Sequence, residues 1–279
     1  ERKASVTPTT HELQDFKLAC ERLWLLDVQR CQPGVDYAVN MQKGKNSSWH
    51  KGDLAPDPLF RWVKDEVFER ETFKHFISLL DNYEAHTGNA EVVTKEEKDE
   101  EDSFLKAVIE TPIGQYLYQY LLKKQKVKSE SDLKIFLQNM WFKLYSREVR
   151  GDSSPFEHVF VGEIRDGSVI GMHNWIQLFH EERNGKFDYA GYIKPRRRGT
   201  NSLKSGLDEE QLITIQFEWN GYLKPKGTSF VGASPEFELA LYTLCHLFGQ
   251  EDIDLTLGSY SVLIKNHKLK NGSIGSIYP

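Results

Sequence analysis

Cysteine is scarce in this chain: Cys20, Cys31 and Cys245 are the three in 279 residues. They are too few and too scattered for a disulfide framework or a zinc-ligand cluster. One Cys20–Cys31 bridge is conceivable, but buried free thiols are the expectation. Long hydrophobic runs are also missing, and no apolar stretch approaches the length of a membrane span. There is no basic excess either. The net charge of −5 rules out polyanion binding by overall charge and confines any such contact to a local patch. The amino terminus, Glu-Arg-Lys-Ala-Ser, lacks both an initiator Met and the apolar core of a signal peptide. The chain is therefore expected to be trimmed there, which leaves a cytoplasmic or a secreted location equally open. The sequons at Asn46 and Asn271 would matter only in the second case.

What is present is ordinary for a folded protein. A hydrophobic content of 39% with 12% aromatics is enough for a large core without staples. The first half reads as helical. Thr9 and Glu12 form a capping signal, and Leu13, Phe16, Ala19, Cys20, Leu23 and Leu26 recur at helical spacing, predicting one amphipathic helix up to Asp27. Residues 32–58 read as an irregular connection, with Trp49-His50-Lys51 as a surface cluster or a docking contact. Pro58 to Tyr83 fits one or two helices. The charged run Lys95–Asp102 reads as the start of a helix, acidic side chains suiting its positive end, with a divalent-ion site as the sharper alternative. Phe104–Leu122, with Pro112 as a start or kink, and Ser131–Tyr145 complete this half.

After Arg150-Gly-Asp-Ser-Ser-Pro155 the period changes toward strands, placing a boundary between a mainly helical lobe, 1–150, and a β-rich lobe, 151–279, that together form one domain. A short helix is expected to start at Asn174, whose side chain suits an N-cap. Strands are expected at Tyr189–Ile193, Ile213–Trp219, from Tyr222, at Phe230–Gly232, and through the carboxyl end. Ser234-Pro235-Glu236 opens a helix, with Pro at the first helical position. Lys194-Pro-Arg196-Arg197-Arg198 is a basic loop able to contact phosphates or simply to lie in solvent. The fold class is accordingly α+β, a helical half packed against twisted antiparallel sheets with a few helices.

The chemistry concentrates in Glu157-His158-Val-Phe-Val-Gly-Glu163 and the following Gly171-Met-His173-Asn174-Trp175. The pattern reads as a β-hairpin turning at Arg165-Asp-Gly-Ser168, which would bring His173 level with His158. Alternation would then put Glu157 and Glu163 on the face opposite His158. Two imidazoles at one end of a hairpin suit a reaction in which one group accepts a proton while the other donates one.

These residues, followed by Asn220-Gly-Tyr222-x-Lys224 and Gly232-x-Ser234-Pro-Glu236-Phe-Glu238, closely resemble the EndoU family of poly(U)-specific endoribonucleases, the XendoU and placental protein 11 type. The resemblance is strongest over residues 130–245. It implies cleavage of single-stranded RNA 3′ to uridines to leave 2′,3′-cyclic phosphate ends. It further implies catalytic His158, His173 and Lys224, with His173 as base and His158 as acid, and supporting roles for Glu157 and Glu163. Uridine would be bound by Ser276 and Tyr278. It also implies stimulation by a divalent cation, manganese or calcium, for which the sequence offers neither EF-hand nor zinc spacing; the metal ligands are left unassigned. The expected partner is uridine-containing single-stranded RNA, with the chain monomeric. Two other readings compete: a non-catalytic RNA-binding module, and a metal-hydrolase cluster of Glu157, His158, Glu163 and His173.

Overall fold

The computed structural model of the chain describes residues 5–50, 52–194 and 211–279. The basic loop at Arg196–Arg198, and Lys51, lie outside the described residues. The first half contains α1 (Thr10–Gln14), α2 (Phe16–Leu26), short strands β1 (Tyr37–Val39), β2 (Gly44–Lys45) and β3 (Phe60–Val63), a 3₁₀ turn (Asp65–Val67), α3 (Glu71–Ile77), α4 (Lys95–Glu110), α5 (Pro112–Lys123) and α6 (Glu130–Trp141). The second half has a π turn (Glu157–Val161), a hairpin of β4 (Glu163–Arg165) and β5 (Ser168–Ile170), then α7 (Trp175–Arg183), β6 (Phe187–Ile193), β7 (Leu212–Trp219), β8 (Tyr222–Phe230), α8 (Pro235–Phe248), β9 (Asp252–Leu257), β10 (Tyr260–Lys268) and β11 (Ile274–Tyr278). The fold is α+β. No helix among the described residues is long and apolar enough to cross a membrane.

Capping chemistry sets most helix ends. Asp15 is extended and its carboxylate accepts from the Lys17 N–H, so the single helix expected from Thr9 to Asp27 is instead two, α1 and α2. Pro112, with Thr111 as cap, starts α5 rather than kinking a longer helix. The charged run opens α4 behind a Thr94–Glu97 capping box, as the helix-start reading expected. Pro58–Tyr83 departs from its expectation: Phe60–Val63 pairs with β1 as a strand, and the helix is confined to α3.

Helix α8 is buried on all sides from Pro235 through His246, a pattern that suits only the centre of a molecule. α2, α3 and α5 pack on it from the first half and β10 and β11 from the second. The two halves therefore share one continuous core, within which Phe76 packs on Phe104, Phe156 and Phe160. The larger sheet has the order β2-β6-β7-β8, its first pair parallel and contributed by both halves. The smaller has the order β11-β10-β9. Phe230, expected to begin a separate strand, is the last residue of β8. All three cysteines are buried free thiols.

Candidate active site

The segment around His158 is helical rather than extended. Ser154 caps it: its hydroxyl accepts from the Glu157 N–H at 3.0 Å while the Glu157 carboxyl accepts from the Ser154 N–H at 3.1 Å, with Pro155 at the first helical position. This reciprocal box starts a turn that widens into the π turn at Glu157–Val161 and ends at Gly162, whose φ of 100° suits glycine. The expected long hairpin is thus only β4 and β5, joined at Asp166-Gly167 with both residues at positive φ. The strand-parity placement of Glu163 is overturned with it. A helical turn between the two residues brings the Glu163 carboxylate back to His158, Oε2 lying 2.5 Å from Nδ1.

His173 approaches by a different route. The His173 N–H donates to the Val159 carbonyl at 2.8 Å and the Met172 N–H to the His158 carbonyl at 3.0 Å, lacing the return segment onto the π turn. Gly171 makes this possible, because a Cβ there would sit 1.7 Å from the His158 carbonyl oxygen. On its other side Asn174 caps α7 and donates to Glu238 at 2.6 Å, which ties the histidine's neighbour to the central helix α8. Burial pushes the Glu238 carboxyl up to about 8.

Lys224 enters from β8. Gln216 stands at a bulge between β7 and β8, where Ile215 pairs with Gly227 but Phe217 already pairs with Lys224. Its carboxamide donates to the Pro225 carbonyl at 3.3 Å and accepts from the buried Lys45 ammonium, bracing the segment that carries Lys224. Gly227 leaves room for the lysine stem, which would lie 3.2 Å from a Cβ there. The ammonium donates weakly to the Val169 carbonyl at 3.5 Å and meets no carboxylate among the described residues.

These three side chains, with Ser276 and Tyr278 from β11, line one pocket of about 430 Å³. Tyr278 stacks flat on His173, ring centroids 4.3 Å apart and planes 6° apart. Glu163 lies behind His158, fully buried. Glu157 does not line the pocket: it completes the capping box, and burial, reinforced by the charges of Glu163 and Glu91, pushes its carboxyl up to about 10. It is therefore an uncharged structural acid at neutral pH.

Sequence reasoning missed Arg147. Its Nε lies 2.9 Å from Glu163 Oε2 and its Nη2 donates to the Gly275 carbonyl at 2.9 Å, joining the carboxylate behind His158 to the strand that carries Ser276. The available signal was Asp152, which accepts from the N–H groups of Arg147, Glu148 and Val149 and so folds residues 147–152 into a tight loop beside the motif. His267, from β10, was missed as well. Its alternating strand carried no motif, and only pairing with Ser276 in β11 brings it to the pocket.

Burial dominates the electrostatics. It lowers the His158 imidazole to about 4 against the opposing hydrogen bond that Nδ1 donates to Glu163, with Arg147 and Lys224 adding to the decrease. Burial and the Lys224 charge hold His173 well below the usual imidazole range. Desolvation alone brings Lys224 down to about 7. An anion entering this pocket would favour the charged form of all three.

The donor set does not fit a divalent cation. Arg147, Arg165, Lys224 and Lys226 line the pocket, no carboxylate among the described residues does, and Glu163 behind His158 is engaged by Arg147 and His158. Among the described residues no group of three or more His, Cys, Asp or Glu is placed to hold a metal ion. The metal-hydrolase reading also needs Glu157 beside the histidines, where the structure turns it toward Ser154.

The sequence matches the family described as endoribonuclease XendoU over residues 15–279. Uridylate-specific endoribonuclease B of Danio rerio is 43% identical over 281 residues, covering 95% of each chain. Poly(U)-specific endoribonuclease-A of Xenopus laevis is 42% identical over 96% of this chain and 93% of the frog protein. The solved structure of XendoU, described as a splicing-independent snoRNA-processing endoribonuclease, superposes with a TM-score of 0.78 at 38% identity, covering 98% of this chain and 97% of that one. The motifs, the fold and near full-length similarity converge: the chain belongs to the XendoU endoribonuclease family.

Proposed function

We propose that this protein is an endoribonuclease that cleaves single-stranded RNA at uridines by internal transesterification, leaving a 2′,3′-cyclic phosphate and a 5′-hydroxyl. The names of its relatives, uridylate-specific and poly(U)-specific endoribonucleases, support the substrate. The observation that carries the chemistry is the convergence of His158, His173 and Lys224 on one pocket, with each histidine fixed through Nδ1.

His173 Nδ1 lies 2.9 Å from the Thr228 carbonyl, which can only accept, so Nδ1 carries the proton and Nε2 keeps its lone pair. Its low proton affinity keeps it neutral, as a base must be before reaction. In this reading Nε2 takes the proton of the uridine 2′-hydroxyl and the 2′-oxygen forms a bond to the adjacent phosphorus. His158, with the Glu163 carboxylate on Nδ1, holds imidazolium once a phosphodiester is present and gives its Nε2 proton to the departing 5′-oxygen as the P–O5′ bond breaks. No water is consumed. The Lys224 ammonium, which lacks a carboxylate partner among the described residues, meets the charge that builds on the non-bridging oxygens.

The Ser276 hydroxyl can donate to or accept from a pyrimidine edge, while Tyr278 lies flat on His173 and lines the same pocket. In this reading the active unit is a monomer. A divalent cation, manganese or calcium, would act on the RNA or elsewhere in the fold, because the pocket's donors do not suit it; full activity in chelator would remove it from the account.

The test uses a short RNA with a single uridine and a matched strand with 2′-deoxyuridine there, the products weighed by mass spectrometry. The expected result is a cyclic-phosphate product from the ribose strand alone, with His158→Ala and His173→Ala each losing about 10²- to 10⁴-fold in kcat. Saturable binding with both strands left intact would instead make the protein a binding module.

A further inference from the structure

We propose that the catalytic pocket continues past His267 into a second RNA subsite, a polar groove that takes a nucleotide next to the scissile uridine. This rests on the endoribonuclease reading above and extends it to a site that the catalytic trio and the β11 residues do not include.

The groove has about 450 Å³ of space and is lined by Gly249, Gln250, Glu251, Asn266, His267 and Lys268. His267 also lines the catalytic pocket, so one imidazole forms part of the wall of both spaces. The rings run in a row: Tyr278 lies on His173 with centroids 4.3 Å apart, and His267 follows at 6.1 Å with its plane inclined by 41°. The His267 ring, half exposed between the two spaces, offers an aromatic face to a base leaving the catalytic pocket, and base–aromatic stacking tolerates any base.

Strand geometry would ordinarily send His267 and Lys268 to opposite faces. Between them, however, the β10–β11 register slips: His267 pairs with Ser276 but Lys268 with Ile274. Such a bulge re-aims a side chain, and here both residues border the same groove. Lys268 is exposed; its ammonium donates to the Gly249 carbonyl at 3.4 Å and meets no carboxylate among the described residues. It is a point charge available to a phosphate. The acidic member, Glu251, lies 3.3 Å from His267 Nδ1 at the exposed edge of the groove.

The floor is fixed in advance. Asn266 is buried, and its amide donates to the Cys245 and Gln250 carbonyls at 3.3 and 3.1 Å. A polar floor, a ring at the entrance, an exposed ammonium held by one long bond to a carbonyl, and Gln250 on the rim together suit one nucleotide with its phosphate. The volume lies in the range of small-ligand sites.

The experiment compares kcat/KM on a uridine-containing dinucleotide with that on hexanucleotides extended from the same dinucleotide on the 5′ or the 3′ side, for wild type, Lys268→Ala and His267→Ala. Affinity for the hexanucleotides carrying 2′-deoxyuridine is measured across a salt series in parallel. Wild type is expected to gain with extension on one side. Lys268→Ala should lose most of that gain and flatten the slope of log affinity against log salt by about 0.7, the release expected for one single-strand phosphate contact. His267→Ala should lower kcat/KM on the favoured hexanucleotide about 5- to 100-fold, the span of one base stack. A gain and salt slope unchanged in Lys268→Ala would overturn the subsite. Absence of cleavage by wild type would reject the endoribonuclease reading alone, since the affinity arm still decides whether the groove holds a nucleotide.

Discussion

His158 and His173 face the same pocket from opposite kinds of surroundings. His158 sits on a helical turn with a carboxylate on Nδ1, and that carboxylate is itself held by Arg147. His173 sits on an extended return segment with a neutral carbonyl on Nδ1 and a tyrosine ring against its face. Burial drives both imidazoles toward the neutral form, but only the first has a negative charge ready to stabilise a proton. In the proposed mechanism one residue type is fitted for two tasks by what lies behind it: a carboxylate for the group that would hold and release a proton, a carbonyl for the group that would begin without one.

The comparison can be broken most severely at the charge both histidines share. Lys224→Ala is expected to lower kcat by about 10²- to 10³-fold with little change in folding, as followed by single-turnover kinetics and a melting curve. Because desolvation brings Lys224 down to about 7, activity of the free enzyme should decline as pH rises through that value, and kcat/KM profiles of wild type and Lys224→Arg would reveal it. An arginine keeps its charge throughout, so any residual activity in that variant should lose this limb.

Next in size is Glu163→Gln. It leaves the Arg147 guanidinium without its buried counter-charge and should cost about 3–5 kcal/mol of stability, measured by urea unfolding, while affecting His158 far more than His173. Tyr278→Ala removes a stack worth about 0.5–1.5 kcal/mol and should reduce kcat up to about tenfold, whereas Tyr278→Phe should retain it.

Smallest is Glu157→Gln. Its carboxyl is raised to about 10, so the folded form keeps a proton that the unfolded chain loses above about 4.5. The stability it contributes is full below about 4.5 and is lost as pH rises through about 10. A glutamine keeps the neutral cap, so activity should stay within about twofold and the urea midpoint should fall less between pH 5 and pH 9 than in wild type. His158 works in the other direction. Its folded value is depressed to about 4, so its contribution is full above about 6.5 and is lost as pH falls through 4.

The sequence was most legible where one local signal decided the outcome. Asn174 as a cap, Ser234-Pro235 as a helix opening and Asp166-Gly167 as a tight turn all stand as expected. Ser154-Pro155-Phe-Glu157 carries the same signal as Ser234-Pro235, with a capping glutamate added, yet its apolar Val159, Phe160 and Val161 suggested a strand. A run buried on every side has no alternation to read, and the reciprocal Ser154–Glu157 bonds were the better guide. That one misreading moved Glu163 to the wrong face. Five of the residues that line the pocket, His158, His173, Lys224, Ser276 and Tyr278, were legible in the sequence motifs and are brought together. Arg147 and His267 were not, because each reaches the pocket through pairings distant in sequence: Arg147 with Glu163 and Gly275, His267 with Ser276.

The division of labour between the two histidines is tested most directly with an RNA whose scissile 5′-oxygen is replaced by sulfur. A thiolate leaves without protonation, so the acid becomes dispensable while the base does not. On this substrate His158→Ala should recover most of the wild-type rate and His173→Ala should stay impaired. Recovery of His173→Ala instead, or of neither variant, would contradict the account.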